Sequence, residues 1–292
     1  MIWFLIALLS SFLSAFAAIT QKKVLFNLKP LEFSFYLSLV NLLFSIPFFF
    51  FIDYQTINSQ NLSILFIKSL IGALAFLCVM TALKNLQISN ALPLLALTPG
   101  FVAVFAFFIL NEKLTYYETI GLVFLILGTY ILESKSFKEI LFPFIVFIKS
   151  RYHHYILIAL LLFTASSIMD KLLLIKLNLT PISLTAFQHI FFALLFSIIY
   201  LIFNKNISNK EIFSFKENFG WIALISILTI GYRFTQVWAV GLASVALVLA
   251  VKRTSVLWAT IIGGKIFKDT NLLKKVIAVI FILIGAILIL NE

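Results

Sequence analysis

Ten apolar segments, each about 20 residues long, follow one another along this chain with short polar stretches between them. A helix of that length spans the hydrocarbon core of a bilayer. Hydrophobic residues make up 63% of the 292 residues and charged residues 11%, whereas about half of a soluble domain is apolar and about a quarter is charged. The sequence therefore predicts an all-α polytopic membrane protein. The ten predicted transmembrane helices cover residues 2–20, 32–52, 63–83, 92–110, 116–133, 154–175, 182–203, 219–240, 243–263 and 272–290.

The formal net charge of +11 could suggest a protein that binds nucleic acid. The basic residues, however, are scattered among short loops and are not gathered on one soluble face. Cations in such loops orient transmembrane helices and contact anionic lipid headgroups. We therefore expect membrane lipids as partners and no nucleic acid.

The sequence contains no motif that indicates catalysis or metal binding. Its single cysteine, Cys78, excludes an intramolecular disulfide and a cysteine-based metal cluster. Zinc-protease, phosphate-loop and serine-hydrolase motifs do not occur, and the pair His153 and His154 has no third ligand nearby in sequence. We expect a protein that is not an enzyme and that needs no cofactor or metal.

The second half of the chain repeats landmarks of the first. Residues 27–30, Asn-Leu-Lys-Pro, recur as Asn-Leu-Thr-Pro at 178–181, and residues 42–46, Leu-Leu-Phe-Ser-Ile, recur at 194–198. The offsets are 151 and 152 residues. An internal repeat in a membrane protein is typical of secondary transporters. The proline of each first motif is expected to open the second helix of its half, since proline suits the first helical turn.

A third landmark recurs with an offset of 157 residues. Glu112 is followed sixteen positions later by Gly128, and Asp269 is followed sixteen positions later by Gly285. Each acid comes just after the fourth helix of its half. Each glycine lies late in the fifth helix, where the missing side chain would let another helix approach closely.

The landmarks divide the chain into two repeats of five helices. The predicted boundaries are residues 1–133 for the first repeat, 134–153 for a basic linker and 154–292 for the second repeat. A repeat with an odd number of spans re-enters the membrane in the opposite orientation, so the halves should be inverted around a central cavity. Loops after odd-numbered helices carry most of the lysines, which predicts that both termini lie outside the cytoplasm.

Three stretches of the first half resemble an EamA-type repeat: residues 91–99 (Ala-Leu-Pro-Leu-Leu-Ala-Leu-Thr-Pro), residues 108–115 (Phe-Ile-Leu-Asn-Glu-Lys-Leu-Thr) and residues 120–128, which end at Gly128. Asp269 in the second half stands where such repeats usually have glutamate. The chain is thereby similar to the drug/metabolite transporter superfamily over essentially its whole length.

This resemblance implies ten helices around a central cavity and the transport of small metabolites, often the export of amino acids or related compounds. It also implies exchange or coupling to an ion gradient. Members are often drawn with both termini in the cytoplasm, which is the reverse of the orientation that the lysine distribution predicts. We expect an integral protein of the bacterial inner (cytoplasmic) membrane.

The two halves differ most in the middle of their fourth helices. Residues 95–99 read Leu-Ala-Leu-Thr-Pro, whereas the equivalent residues 252–256 read Lys-Arg-Thr-Ser-Val. Two cations replace aliphatic residues, and the proline is gone. An intramembrane charge costs several kcal/mol unless it faces a cavity or a partner, so this difference indicates the functional site.

Predicted helices eight and nine carry the cations Arg233, Lys252 and Arg253 far from their ends, and Asp170 is the one acid placed clearly inside a span. Either Asp170 pairs with one cation while the others bond carbonyls or line a wet crevice, or at least one cation holds the carboxylate or phosphate of a substrate. The residues predicted to bind substrate are Arg233, Gln236, Trp238, Lys252, Arg253 and Ser255.

Several other polar residues allow more than one interpretation. Asp170 and His189 are candidates for coupling transport to protons, although a lone membrane histidine is more often hydrogen-bonded in the packing. Trp238 could also be an interfacial anchor. Asn41 is expected to form an interhelical bond.

The first half also contains features that we interpret as structural. Pro93 and Pro99 should bend the fourth helix and free carbonyl groups toward the cavity. Thr115 and Glu118 have the spacing of a capping box at the start of the fifth helix. Glu112 is expected to have a structural role as well.

The sequence thus predicts a secondary transporter, more an exporter than an importer, for small polar metabolites such as amino acids or other carboxylated solutes. An efflux carrier for cationic drugs is the alternative within transporters, with Asp170 as the carboxylate that would bind them. A receptor or assembly subunit that transports nothing is a third hypothesis.

Overall fold

The computed structural model describes residues 1–85, 95, 97–133, 151–203, 209–255 and 272–290. These residues form ten α-helices. A 3₁₀ segment, Ile46–Phe51, extends the second helix, and a shorter one, Tyr54–Thr56, precedes the third. The helices are α1 Ile2–Leu25, α2 Pro30–Ser45, α3 Ser59–Asn85, α4 Thr98–Leu110, α5 Tyr116–Glu133, α6 Arg151–Ile175, α7 Pro181–Phe203, α8 Asn209–Leu242, α9 Val245–Arg253 and α10 Leu272–Leu290.

The distribution of side chains is that of a protein surrounded by lipid. Large apolar side chains such as Leu5, Ile67 and Phe108 are exposed on the outside of the bundle, while many serines and several charged groups lie inside. Six of the described helices, α1, α2, α3, α6, α7 and α8, are long and apolar enough to cross a bilayer. Both observations confirm the prediction of a polytopic helical membrane protein.

Helices α2 and α7 begin at the prolines of the repeated motifs, and α5 begins at the predicted capping box. Pro30 is in the first turn of α2, and α7 begins at Pro181. Before α5, the backbone N–H of Thr115 donates to Glu118 Oε2 (2.8 Å), and the backbone N–H of Glu118 donates to Thr115 Oγ1 (3.3 Å). This reciprocal pair is the predicted capping box.

Helices α5 and α10 pack with their backbones in close contact along a seam that is formed by Gly121, Gly128 and Gly285. A side-chain carbon on Gly128 would lie 2.8 Å from the carbonyl oxygen of Ala278, and one on Gly285 would lie 2.7 Å from that of Gly121. No side chain fits at such separations. The prediction that these glycines allow a close helix approach is therefore confirmed.

Helix contacts between residues 1–133 and the second half come in matching pairs. Helix α1 packs on α8 as α6 packs on α3, and α4 packs on α6 as α9 packs on α1. Helix α2 meets its counterpart α7 in antiparallel fashion, because Tyr36 near the start of α2 contacts Tyr200 near the end of α7, while Phe49 after α2 contacts Phe187 near the start of α7. Helices α2 and α7 thus pack on each other in opposite directions.

The fourth helix of each half is interrupted at equivalent positions. Leu95 is helical and Leu97 is in a turn, and α4 begins only at Thr98 with Pro99 in its first turn. Pro99 therefore starts a helix instead of bending the middle of one, because its ring suits the first turn; Pro93 lies outside the described residues. Helix α9 ends at Arg253, and residues 256–263 of the ninth predicted span also lie outside the described part.

Candidate functional site

A central cavity of about 190 Å³ opens among eight helices, and α5 and α10 contribute none of its described lining. Because one water needs about 10–15 Å³ by this measure, the space is large enough for several waters or one small solute. The side chains on its wall are predominantly polar or aromatic. The lining residues include Asn41, Lys68, Gln188, His189, Arg233 and Lys252.

Four side chains from four helices form a hydrogen-bonded cavity network: Lys68 on α3, Asp170 on α6, Gln188 on α7 and Arg233 on α8. Asp170 accepts from Arg233 Nη2 at 2.6 and 2.7 Å and pairs with Lys68 Nζ at 2.9 Å. Gln188 Oε1 accepts from Lys68 Nζ (2.7 Å) and from Arg233 Nε (3.0 Å). Each cation therefore bridges the same two acceptors.

The network is deeply buried. Lys68 and Asp170 are each 1% exposed and Gln188 is 5% exposed. A buried ion pair is favourable only when its remaining donors and acceptors are also satisfied, and the amide of Gln188 supplies that second acceptor to both cations. Asp170 thus has two cationic partners, and Arg233 points toward it as well as toward the cavity.

Sequence analysis missed Lys68 and Gln188 as site residues. Lys68 lies well inside the predicted span 63–83, so its charge in an apolar helix was a usable signal. Gln188 adjoins His189, but nothing in the sequence indicates which of the two neighbours would bond the cations. The structure therefore adds a cation from the first half to those of α8 and α9.

Lys252 has a different environment. Its ammonium group donates to Gln236 Oε1 and lies 4.7 Å from the centre of the Tyr232 ring. Within the described residues, no carboxylate oxygen lies within 4 Å of it. Arg253, the next residue, donates to the hydroxyl of Thr98 at 3.2 Å, which joins the end of α9 to the start of α4.

The wall of the cavity is strongly cationic. Lys68, Arg233, Lys252 and Arg253 all line it, and no acidic residue is among its described lining residues. Asp170, behind the wall, contacts two of the four. A cavity with this charge on its wall has a positive potential that attracts anions.

His189 and Asn41 also line the cavity. His189 is 2% exposed, and neither of its ring nitrogens has a hydrogen-bond partner among the described residues. Asn41 is 4% exposed, and its Oδ1 is unpartnered in the same sense. The packing bond expected for the histidine is not formed in the described part of the chain, and Asn41 makes no interhelical bond through Oδ1 there.

Of the residues predicted to bind substrate, the structure brings five to the cavity: Arg233, Gln236, Lys252, Arg253 and Ser255. Trp238 is not among the lining residues. Its side chain is 44% exposed, and its ring packs against Phe234 at 5.8 Å. The anchor interpretation of Trp238 and coupling to protons through Asp170 or His189 stay predictions.

Away from the cavity, Glu112 and Lys171 hold the start of α9. Glu112 Oε2 accepts from the hydroxyl of Ser244 (2.9 Å) and from the backbone N–H of Val245 (3.2 Å). Lys171 Nζ lies 3.5 Å from Glu112 Oε1 and donates to the carbonyl oxygens of Val240 (2.9 Å) and of the residue before Ser244 (2.7 Å). The structural role expected for Glu112 is therefore confirmed.

Comparison with known proteins agrees with this architecture. A solved structure titled only as a crystal structure of a protein has 14% sequence identity, a TM-score of 0.67, and a match that covers 98% of this chain and 94% of that one. No curated protein sequence matches the chain. The EamA-like transporter family matches residues 1–134 and 151–291, nearly the whole length. The chain therefore belongs to the EamA-like transporter family.

Proposed function

We propose that this transporter carries small carboxylated solutes, such as amino acids or other organic acids, across an inner bacterial membrane through its central cavity. The observation that carries the proposal is the cavity wall with four cations and no acidic residue among its described lining residues. A carboxylate on the substrate would offset this positive charge. The cavity should therefore take up carboxylated solutes from water.

Lys252 is the cation best suited to contact the carboxylate. It has an amide oxygen and an aromatic ring as neighbours, and none of the described carboxylates is within 4 Å. Lys252 can therefore supply a proton donor to an incoming anion without breaking an ion pair. Arg253, beside it at the end of α9, would extend the same binding region.

Arg233 has a second role in this proposal. Asp170 and Gln188 fix its guanidinium group at the cavity wall, which lowers the conformational entropy lost when a substrate binds. Gln236 orients Lys252 in the same way. Ser255 lines the cavity near these cations and would add a hydroxyl contact.

Alternating access of two inverted five-helix repeats is the proposed mechanism. The antiparallel contact between counterpart helices α2 and α7, and between α5 and α10, supports a pseudo-twofold axis in the membrane plane. All ten predicted spans would cross the membrane in this arrangement. Export as the direction rests on the family resemblance, and a proton is the proposed coupling ion through Asp170 or His189.

The same geometry disfavours the alternative of cationic drug efflux. A cationic drug needs an available carboxylate, and Asp170 is already bonded to Lys68 and Arg233. The four cations on the wall would repel a positively charged ligand.

Transport assays with purified protein in liposomes test the proposal. Lys252→Gln should lower the affinity for carboxylated solutes about tenfold or more, the usual effect of losing one hydrogen bond to a charged group. The matched control is Lys176→Gln, which removes an exposed lysine beyond α6. Unchanged affinity in both Lys252→Gln and Arg253→Gln would contradict the anion site, and no flux of any amino acid, organic acid or sugar would favour a receptor or assembly subunit.

A further inference from the structure

Two unpartnered polar side chains on the cavity wall are not explained by anion binding alone. His189 on α7 and Asn41 on α2 are both more than nine-tenths buried, and in the described structure neither ring nitrogen of His189 nor the amide oxygen of Asn41 has a partner. A buried polar group without a hydrogen bond costs about 1–3 kcal/mol. Each such group in a folded protein therefore requires an explanation.

Neighbouring polar groups on the same two helices are satisfied. Ser34 and Ser38 on α2 donate to the carbonyl oxygens of Pro30 (2.8 Å) and Phe35 (2.7 Å). Gln188, next to His189, accepts from two cations of the cavity network. Among the described cavity-lining residues of α2 and α7, the missing bonds are thus those of His189 and Asn41.

Imidazole and amide groups can each donate and accept hydrogen bonds. A partner for them could in principle be an ammonium group, a hydroxyl group or a carbonyl group. The cations Lys68, Arg233 and Lys252 on the wall of the same cavity raise the energy of a further positive charge. An uncharged group such as a hydroxyl meets no such repulsion.

We propose that His189 and Asn41 form a subsite for an uncharged polar group, above all a hydroxyl, of a small anion whose carboxylate is held by Lys252. The inference rests on the proposed anion site and deepens it. The preferred substrates are then hydroxylated acids, and the simple amino acids and unsubstituted acids of the same size bind more weakly.

Matched sets of acids separate these classes. Succinate, malate and aspartate, and likewise propionate, lactate and alanine, differ mainly in carrying hydrogen, hydroxyl or ammonium at one carbon. Binding is measured by calorimetry on the purified full-length protein in detergent. We expect the hydroxylated member of at least one set to bind about tenfold or more tightly than the other two, because the site is built to hydrogen-bond that group.

Variants then assign the preference to residues. His189→Phe and Asn41→Leu should reduce the ratio of affinities, hydroxylated over unsubstituted, toward one. Phe192→Leu, which alters an apolar lining residue of the same helix, is the matched control and should keep the ratio. Equal affinities within every set, or equal weakening of all acids in His189→Phe, would overturn the subsite.

Two further readouts keep the tests distinct. If none of the acids binds, the proposed anion site itself fails; if acids bind without preference, only the hydroxyl subsite fails. The thermal midpoint of the unliganded protein should not fall in His189→Phe, because no hydrogen bond is lost among the described residues. A clear fall would show that the ring has a structural role and would contradict its reservation for substrate.

Discussion

The α5–α10 seam and the cavity network join helices by opposite means. Along the seam, Gly121, Gly128 and Gly285 bring two backbones together and no charge is involved. The network instead joins four helices through Lys68, Asp170 and their partners, at a location where charge is costly. In lipid, close packing of two backbones costs less free energy than burying charged groups does. The ionic network therefore requires an explanation other than stability.

Recurrence separates the two regions in the same way. The seam uses landmarks that occur in both halves, Gly128 and Gly285, as expected for a feature that maintains the architecture. The acid of the network, Asp170, has no acidic counterpart 151 or 152 residues earlier, where Ile19 and Ala18 stand. We infer that the repeated residues maintain the bundle and that the unrepeated ones determine what binds in it.

The largest effect is expected for Asp170→Asn, because it leaves Lys68 and Arg233 buried without their shared carboxylate. Removing one partner of a buried pair typically costs about 3–5 kcal/mol. Thermal unfolding in detergent should show a large fall in the midpoint, and the double variant Lys68→Met with Asp170→Asn should recover part of it. If Asp170→Asn is as stable as the parent protein, the network is not the ionic junction described here.

A substitution in the seam should lower the stability of the protein but leave its selectivity among acids unchanged. Gly285→Ala places a carbon 2.7 Å from the carbonyl oxygen of Gly121, and the forced separation of α5 and α10 is expected to cost about 1–3 kcal/mol. Gly220→Ala on α8 is the matched control, since a side chain there meets no atom within 4 Å.

The selectivity of Gly285→Ala among the acids distinguishes the seam from the cavity network more clearly than its stability does. Gly285→Ala protein that folds should keep the order of preference among the acids, because the seam contributes no described lining residue to the cavity. A changed order of preference, or a Gly220→Ala variant destabilised as much as Gly285→Ala, would remove the distinction between the two regions.

Much of the helical architecture was readable from the sequence. Apolar length predicts helices, and prolines such as Pro30 and Pro181 set their starts, because both signals are local. Gly128 and Gly285 predict a close helix approach, because a missing side chain lets another helix come near, but the sequence does not say which helix that is.

The site was only partly readable, because partners depend on which helices meet. Lys252 and Arg233 were found by their charge. Lys68, however, acquires its meaning only from its contacts with Asp170 and Gln188, which lie 102 and 120 residues away in sequence. The unpartnered state of His189 is likewise a property of the packed structure, since it requires knowing every neighbour of the ring.

The smallest effect is expected at Glu112, which carries a charge but does not line the cavity. Glu112→Gln keeps an acceptor for Ser244 and the N–H of Val245 but removes the negative charge beside Lys171. Because Lys171 retains two carbonyl acceptors, the loss should be about 1 kcal/mol or less, as for a partly exposed ion pair. Thermal unfolding and calorimetry on one preparation measure both quantities: the midpoint should fall slightly while the affinity for acids stays within about twofold, since charge matters for binding only where it faces the cavity. A fall in affinity comparable to that of Lys252→Gln would mean that ionic groups far from the cavity also determine binding, and position relative to the cavity would then no longer separate architecture from recognition.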